Sequence, residues 1–141
     1  MTDMALIDPE AALSVRVYYE DTDASCVAYH TSYLRWMERA RTEWMRARGG
    51  DHRAFMSAQG VAFTLSRVDV NFVAPARLDD LVEVHTQVTR LRRASIDFTQ
   101  TVQIGTRTLA SANVRVACVD AASFRPAALP SPIAPQRNSR A

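Results

Sequence analysis

Asp21-Thr22-Asp23 places two carboxylates on either side of one threonine, just ahead of the strongest helical pattern in the chain. Two like charges in one loop suit acid or base chemistry. An aspartate in a loop equally suits a turn, where its side chain satisfies backbone amides. Position favours chemistry. The loop leads into a helix N-terminus, where unpaired N–H groups point outward. Those donors, with the positive end of the helix dipole, can hold an oxyanion. A base beside an oxyanion hole is the equipment of acyl-transfer hydrolysis. Asp23 is therefore the candidate base. His30 stands at the junction, and either its ring, with a reference pKa of ~6.5, or its backbone N–H alone can serve.

Other reactive side chains have plainer readings. Cys26 would be a nucleophile as a thiolate near a helix N-terminus, but most isolated cysteines behave as small apolar residues. Glu38 and Glu43 lie at helical spacing from arginines and read as solvated partners of them. Arg90, Arg92 and Arg93 cluster between two strand patterns. They read as a solvated turn, or as a clamp whose guanidinium groups match phosphate oxygens. Neither a G-x-x-x-x-G-K-[ST] loop nor a G-x-G-x-x-G run is present, so those nucleotide sites find no support. No His, Cys, Asp and Glu cluster has metal-ligand spacing, and no metal is expected.

The elements that must position these residues follow from periodicity. Val15, Val17 and Tyr19 alternate as a short strand before the acidic loop. Tyr33, Trp36, Met37, Ala40 and Trp44 step by three and four, one face of a helix predicted from Ser32 to Arg48. Thr31 or Ser32 is the expected cap, and Gly49-Gly50 the stop. A weaker helix is expected over His52–Ala58, ended by Gly60. Val61, Phe63 and Leu65 then alternate, and Val68, Val70 and Phe72 alternate in the opposite phase. That switch predicts a bulge or break near Arg67. Val82–Val88, Ile96–Ile104 and Ala110–Cys118 give three more strands joined by short turns, an antiparallel meander. One helix covers only one face of such a sheet, so the other face or an edge stays free for oligomer contact. Ala40, Ala47 and Ala112 would permit close helix–sheet approach, and Val27, Phe63 and Leu65 are candidates to line an acyl site.

The 141 residues suffice for about one domain with its own core. The chain is 48% apolar and 23% charged, an ordinary globular balance that argues against whole-chain disorder. Seventeen basic against fifteen acidic residues leave +2, too balanced to mark a nucleic-acid binder. No apolar run approaches the ~20 residues of a transmembrane segment. Cys26 and Cys118 stand 92 positions apart and make no disulfide framework, which suits a reducing cytoplasm. Residues 1–14 read as a flexible lead without a signal-peptide core, 15–125 as the folded domain, and 126–141 as a Pro-rich arm or tail.

Val15-Arg16-Val17-Tyr18-Tyr19-Glu20-Asp21-Thr22-Asp23 and Val27-Ala28-Tyr29-His30-Thr31-Ser32-Tyr33 resemble the 4-hydroxybenzoyl-CoA thioesterase family. They look most like its branch of acyl-CoA thioesterases associated with the bacterial Tol-Pal system. The resemblance continues through Glu38-Arg39-Ala40-Arg41-Thr42-Glu43 and Phe72-Val73-Ala74-Pro75-Ala76-Arg77-Leu78-Asp79-Asp80. It runs on to Cys118-Val119-Asp120 and Arg125-Pro126-Ala127-Ala128-Leu129-Pro130. It implies an α+β hotdog fold, a long helix wrapped by an antiparallel sheet of about five strands. It also implies homodimers, often homotetramers, with active sites at the subunit interface and no metal or cofactor. The substrate would be an acyl group on coenzyme A, or on acyl carrier protein.

By position, Asp23 matches the family's catalytic carboxylate, acting as nucleophile or as base for water. The His30 N–H matches the donor that polarises the thioester carbonyl, and its ring matches a histidine typical of the Tol-Pal branch. Arg92 and Arg93 fall where related enzymes hold the nucleotide phosphates. Two places depart from the pattern. Ser25 and Cys26 stand where glycine is usual, and Ala94 where a lysine often joins the phosphate contacts. The alternative reading is a hotdog protein that binds acyl-CoA or acyl carrier protein without cleaving it, associated with the cell envelope. A purely structural partner at the inner face of the envelope and a dehydratase are weaker rivals, the last because no Asp/His pair has that arrangement.

Overall fold

The structure, a computed structural model, describes residues 11–134. Strand β1 covers Ala11–Arg16, helix α1 covers His30–Ala47, and a second short helix α2 covers His52–Ala54. A wider helical turn continues α2 over Phe55–Gln59. The remaining strands are β2 (Val61–Phe72), β3 (Leu81–Leu91), β4 (Ser95–Ile104) and β5 (Arg107–Asp120). They form one antiparallel sheet in the order β1-β3-β4-β5-β2. The described residues thus begin at one sheet edge, cross as the helix, lay down the other edge as β2, and fill the middle with the β3–β4–β5 meander.

The meander alternates as its sequence demands. Val82, Val84, Val88, Ile96, Phe98, Val102, Ala112, Val114 and Val116 point inward and are buried. The α1 stripe Tyr33, Trp36, Met37, Ala40 and Trp44 packs onto them. Trp44 meets Phe98 edge-on, with ring centroids 5.4 Å apart. Each such aromatic burial is worth roughly 1.5–3 kcal/mol from area alone. Ala40 and Ala112 are buried at the close approach, whereas Ala47 points outward and takes no part in it. The phase switch in β2 is a bulge. Leu65 faces Val116 and Arg67 faces Arg115, so Ser66 is the extra residue. Gly60 closes the helical turn before β2 at φ +67°, a conformation L side chains rarely adopt.

Four details differ from the sequence-based expectations. The first strand lies over Ala11–Arg16, not Val15–Tyr19, because β1 pairs with β3 up to Arg16 opposite Leu81. The chain then turns tightly over Tyr19–Asp21. The N-cap of α1 is Tyr29, which makes no side-chain capping bond; the Ser32 hydroxyl is committed elsewhere. The folded unit therefore begins before Val15, while residues 1–10 lie outside the described ones. At the other end, the segment after Arg125 does not stand clear of the body. Pro126 bridges to Val119, the Leu129 N–H donates to the Arg93 carbonyl, and Leu129 and Ile133 are buried in the core. Two large aliphatic side chains among small and proline residues are enough to dock an otherwise extended arm. Residues 135–141 lie outside the described ones.

Candidate active site

The acidic loop folds as a small hairpin. Thr22 bridges to Ala28, and the Asp23 N–H donates to the Val27 carbonyl at 3.1 Å. The Asp23 carbonyl accepts from the Cys26 N–H at 3.0 Å, and its Oδ1 accepts from the Ser25 N–H at 2.8 Å. One carboxylate oxygen of Asp23 thus serves the turn. Among the described residues its Oδ2 has no partner, and the side chain faces solvent. The turn and the chemical readings of this residue are compatible, one on each oxygen. Asp21 differs: its Oδ2 accepts from the Tyr18 N–H at 2.8 Å, a purely local role.

The tip of the hairpin requires a left-handed residue, and Cys26 supplies it at φ +63°. For a residue with a Cβ that conformation costs roughly 1–2 kcal/mol. This is one of the two places where the family pattern has glycine.

The hairpin is anchored on both sides. Val27 bridges to Arg77, the Ala28 N–H donates to the Ala76 carbonyl at 2.7 Å, and the Leu78 N–H donates to the Cys26 carbonyl at 3.1 Å. The Ala76 N–H in turn donates to the Tyr33 hydroxyl at 2.8 Å, in a buried contact from the helix itself. On the other side the Asp21 carbonyl accepts from the Tyr29 N–H at 2.8 Å and from the Ser32 hydroxyl at 2.9 Å. The hairpin bearing Asp23 is therefore tied directly to the first turn of α1.

His30 is the first residue of α1. Among the described residues, the His30 and Thr31 amides have no backbone partner, as expected for a first helical turn. The His30 ring lies 4.3 Å from the Tyr29 ring and 6.2 Å, edge-on, from Phe72. It joins Ala28, Tyr33, Phe72, Val73 and Pro75 around an open cavity of about 280 Å³. Phe72 and Val73 remain half or more exposed there. The site so far is a solvent-facing carboxylate, a helix N-terminus with amides to offer, and an apolar wall.

The two arginines are placed elsewhere. The hairpin packs beside the residues that lead into β3, whereas Arg92 and Arg93 follow the far end of that strand. Ten residue steps along β3 span roughly 33 Å. Within one protomer, the hairpin that bears Asp23 is tied to the helical turn that bears His30, and Arg92 and Arg93 do not join them. Arg92 is also engaged, since its guanidinium donates to Asp97 at 3.0 Å, while Arg93 is exposed. Glu38 is not simply a partner of a neighbouring arginine: its Oε2 accepts from the Thr42 hydroxyl at 2.9 Å. Glu43 does lie 3.4 Å from Arg46. Two supports were not legible as site residues, Ser32 and Tyr33. Ser32 was expected only as a helix cap and Tyr33 only as part of the packed stripe; a polar atom on an inward position was the available signal.

Residues 27–111 match the family model described as the thioesterase superfamily. An Escherichia coli protein named acyl-CoA thioester hydrolase YbgC is 48% identical over 120 residues, 84% of this chain and 89% of that protein. A Haemophilus influenzae protein named acyl-CoA thioesterase YbgC is 39% identical over 128 residues, 91% of this chain and 94% of that one. The crystal structure of a probable thioesterase from Bartonella henselae superposes with a TM-score of 0.82 at 32% identity, over 86% of this chain and all of that one. A 1,4-dihydroxy-2-naphthoyl-CoA thioesterase from Synechocystis shares the fold, with a TM-score of 0.81 at 22% identity over 88% of this chain and 92% of that chain. The five-stranded sheet with its single long helix is the hotdog architecture of these thioesterases. On the matched length, the identity and the shared architecture, the chain belongs to the thioesterase superfamily.

Proposed function

We propose that the protein hydrolyses acyl-CoA thioesters, with Asp23 as the carboxylate that drives attack and the first amides of α1 as the oxyanion hole. The observation that carries this reading is the tie through the Asp21 carbonyl. It ties the hairpin whose Asp23 keeps one carboxylate oxygen free to the helical turn whose first N–H groups are unpartnered. The relatives named as acyl-CoA thioester hydrolases support the substrate class.

The thioester carbonyl oxygen accepts from the His30 N–H, which polarises the carbon. Asp23 either takes a proton from the attacking water or adds to the carbon itself, giving an anhydride that water then opens. In both routes a C–O bond forms, the C–S bond breaks, and CoA leaves as a thiolate that takes up a proton. The products are the free acid and CoA. No metal or cofactor is called on. Loss of one oxyanion donor typically costs on the order of 10²–10³ in rate.

The working unit in this reading is a homodimer, the building block of a homotetramer, in the cytoplasm. β2 supports it: one side of this strand pairs with β5, and along it Leu65, Val68 and Phe72 are exposed. An unpaired edge carrying large apolar side chains is a template for a second copy. A phosphate clamp from Arg92 and Arg93 would then serve a substrate bound at the partner's thioester site, since roughly 33 Å separates them from their own. The Tol-Pal branch resemblance extends this to a role beside the envelope, and acyl carrier protein is the alternative carrier. Among the described residues, no helix is long and apolar enough to cross a membrane.

The test is thiol release from a panel of aliphatic and benzoyl CoA esters, with Asp23→Asn alongside. Turnover by the native protein that disappears in a folded Asp23→Asn is expected. Full activity in that variant would sink the assignment. A single turnover in ¹⁸O-water tests for direct attack: label on the Asp23 carboxylate establishes an anhydride opened by water at the aspartyl carbon, a result the water route cannot give. His30→Ala is expected to lose activity only in part, because the backbone N–H survives.

A further inference from the structure

A second cavity lies further along the same seam between α1 and β2. It holds about 120 Å³ and is lined by Phe63, Phe98 and Met45 together with the polar residues Glu38, Arg41 and Thr42. α1 and β2 run in opposite directions along it: His30 at the start of α1 meets Phe72 at the end of β2, and Glu38, Arg41 and Thr42 further along α1 share the cavity with Phe63 and Leu65 near the start of β2. His30, Leu34, Glu38 and Thr42, four residues apart, form the helical row along it.

The polar equipment is held in place from the core. Gln100 is fully buried in a strand whose other inward residues are apolar. Its Nε2 donates to the Met37 carbonyl and to the Thr86 hydroxyl, both at 2.9 Å, and its Oε1 accepts from Arg41 at 2.9 Å. The amide can be oriented only this way, because a carbonyl accepts and a guanidinium donates. Arg41 is thereby fixed with most of its donors unused. Glu38 is fixed through Oε2 by the Thr42 hydroxyl, which His52 Nε2 approaches at 3.4 Å. Glu38 Oε1 is left open. Burial lowers the Arg41 pKa, and the charge of Glu38 opposes that shift. A core needing only packing would put an apolar residue at Gln100 at less cost than a buried polar chain.

We propose that this cavity reads the far end of an extended aliphatic acyl group and that the end it reads carries a hydroxyl. This rests on the thioesterase reading above. A hydroxyl accepts from Arg41 and donates to Glu38. A carboxylate end would face Glu38, an ammonium end would face Arg41, and a methyl end would desolvate both without a bond. Eight to eleven helical residues from His30 span roughly 12–17 Å. Side chains lean back toward the helix N-terminus, so the shorter figure governs. An extended chain advances about 1.2 Å per bond, which places the hydroxyl about ten bonds from the thioester carbon. The para-oxygen of a benzoyl ring, about five bonds out, falls short.

The experiment compares kcat/KM for 10-hydroxydecanoyl-CoA against decanoyl-CoA, and for 4-hydroxybenzoyl-CoA against benzoyl-CoA. Dissociation constants for the same four esters are taken by calorimetry on Asp23→Asn. The hydroxyl is expected to favour the ten-carbon ester about tenfold in both readouts, the value of one to two net hydrogen bonds, and to do little for the benzoyl pair. Arg41→Met should bring the ten-carbon ratio near one. Glu38→Leu, at a residue that makes no hydrogen bond to Gln100, should do so as well. Equal values for the ten-carbon pair in both readouts overturn the proposal, even if all esters are hydrolysed. A hydroxyl preference in binding with no hydrolysis of any ester upholds this cavity and overturns the hydrolase reading instead.

Discussion

The Ser32 hydroxyl donates to the Asp21 carbonyl at 2.9 Å, eleven residues back along the chain. The Tyr29 N–H donates to the same oxygen, so one carbonyl fastens the Asp23 hairpin to the first turn of α1. Ser32 is almost fully buried and touches neither the carboxylate nor the expected oxyanion donors by hydrogen bond. It is a positioning residue.

Ser32→Ala should therefore lower kcat more than it raises KM, by about tenfold, because a misplaced near-attack geometry is costly even at fixed binding. Its stability cost should be about 1–2 kcal/mol, a lost hydrogen bond with an accepting carbonyl that keeps its second donor. Ser32→Thr, which retains the hydroxyl, should recover much of the rate. A Ser32→Ala enzyme with native kcat would remove Ser32 from the positioning scheme.

Cys26→Gly bears on the same hairpin. Relief of the left-handed strain contributes roughly 1–2 kcal/mol, and the greater freedom of glycine in the unfolded chain offsets about 0.4–1 of it. The net expectation is a gain of about 0.5–1 kcal/mol, read as a rise of a few degrees in Tm. The exposed Cys26 and buried Cys118 also predict a thiol count. The native protein should react with a thiol reagent once and the denatured protein twice. Burial pushes the Cys118 thiol pKa up, which further slows its reaction. In Cys26→Gly the native count should fall to zero.

Asp97 lies between Arg92 and Arg115, 3.0 and 2.8 Å away, on the sheet face away from the helix. Burial alone would raise its pKa, but the hydrogen bond and charge of Arg115, with those of Arg92, hold it below the ordinary carboxylate range. A depressed folded-state pKa contributes stability that is present above the unfolded value near 4 and is lost as pH falls through the folded one. Urea melts of the native protein should show stability declining below about pH 4. Asp97→Asn should flatten part of that slope. An unchanged acid limb would mean that the ion network contributes nothing to folding.

Much of the fold was legible because the periodicities are clean. Tyr33, Trp36, Met37, Ala40 and Trp44 read as one helical face and pack as one. The phase switch around Arg67 read as a bulge or a break and is a bulge. Asp23 and His30 could be paired because a short loop leads from one to the other. What escaped depends on contacts distant in sequence. Gln100 and Arg41 are 59 positions apart, and only the fold brings them into hydrogen bond. A glutamine in the inward phase of Ile96, Phe98 and Val102 was the one visible sign. The sequence order of Arg92 and Arg93 likewise could not show how far along β3 they lie from the hairpin. The docked arm was hidden by its composition, since proline and serine spacing reads as extended chain whether or not it binds.

That arm supplies the last prediction. Leu129 and Ile133 are buried, Leu129 N–H donates to the Arg93 carbonyl, and the Ala127 N–H donates to the Cys118 carbonyl. The arm therefore ties the β3–β4 turn to the end of β5. Ending the chain after Ala128 removes both aliphatic side chains from the core. At roughly 1.5–3 kcal/mol each, the loss should be about 3–6 kcal/mol, a large share of a typical domain's stability. Because Arg93 loses its anchor, affinity for CoA esters should also weaken if that turn contacts phosphate. Ile133→Ala separates the two effects, for it opens a core cavity without freeing the Arg93 carbonyl. It should destabilise by about 2–4 kcal/mol and leave KM for CoA esters unchanged below the melting range. A chain ending at Ala128 that melts like the full-length protein would show the arm to be an ornament of the surface rather than part of the core.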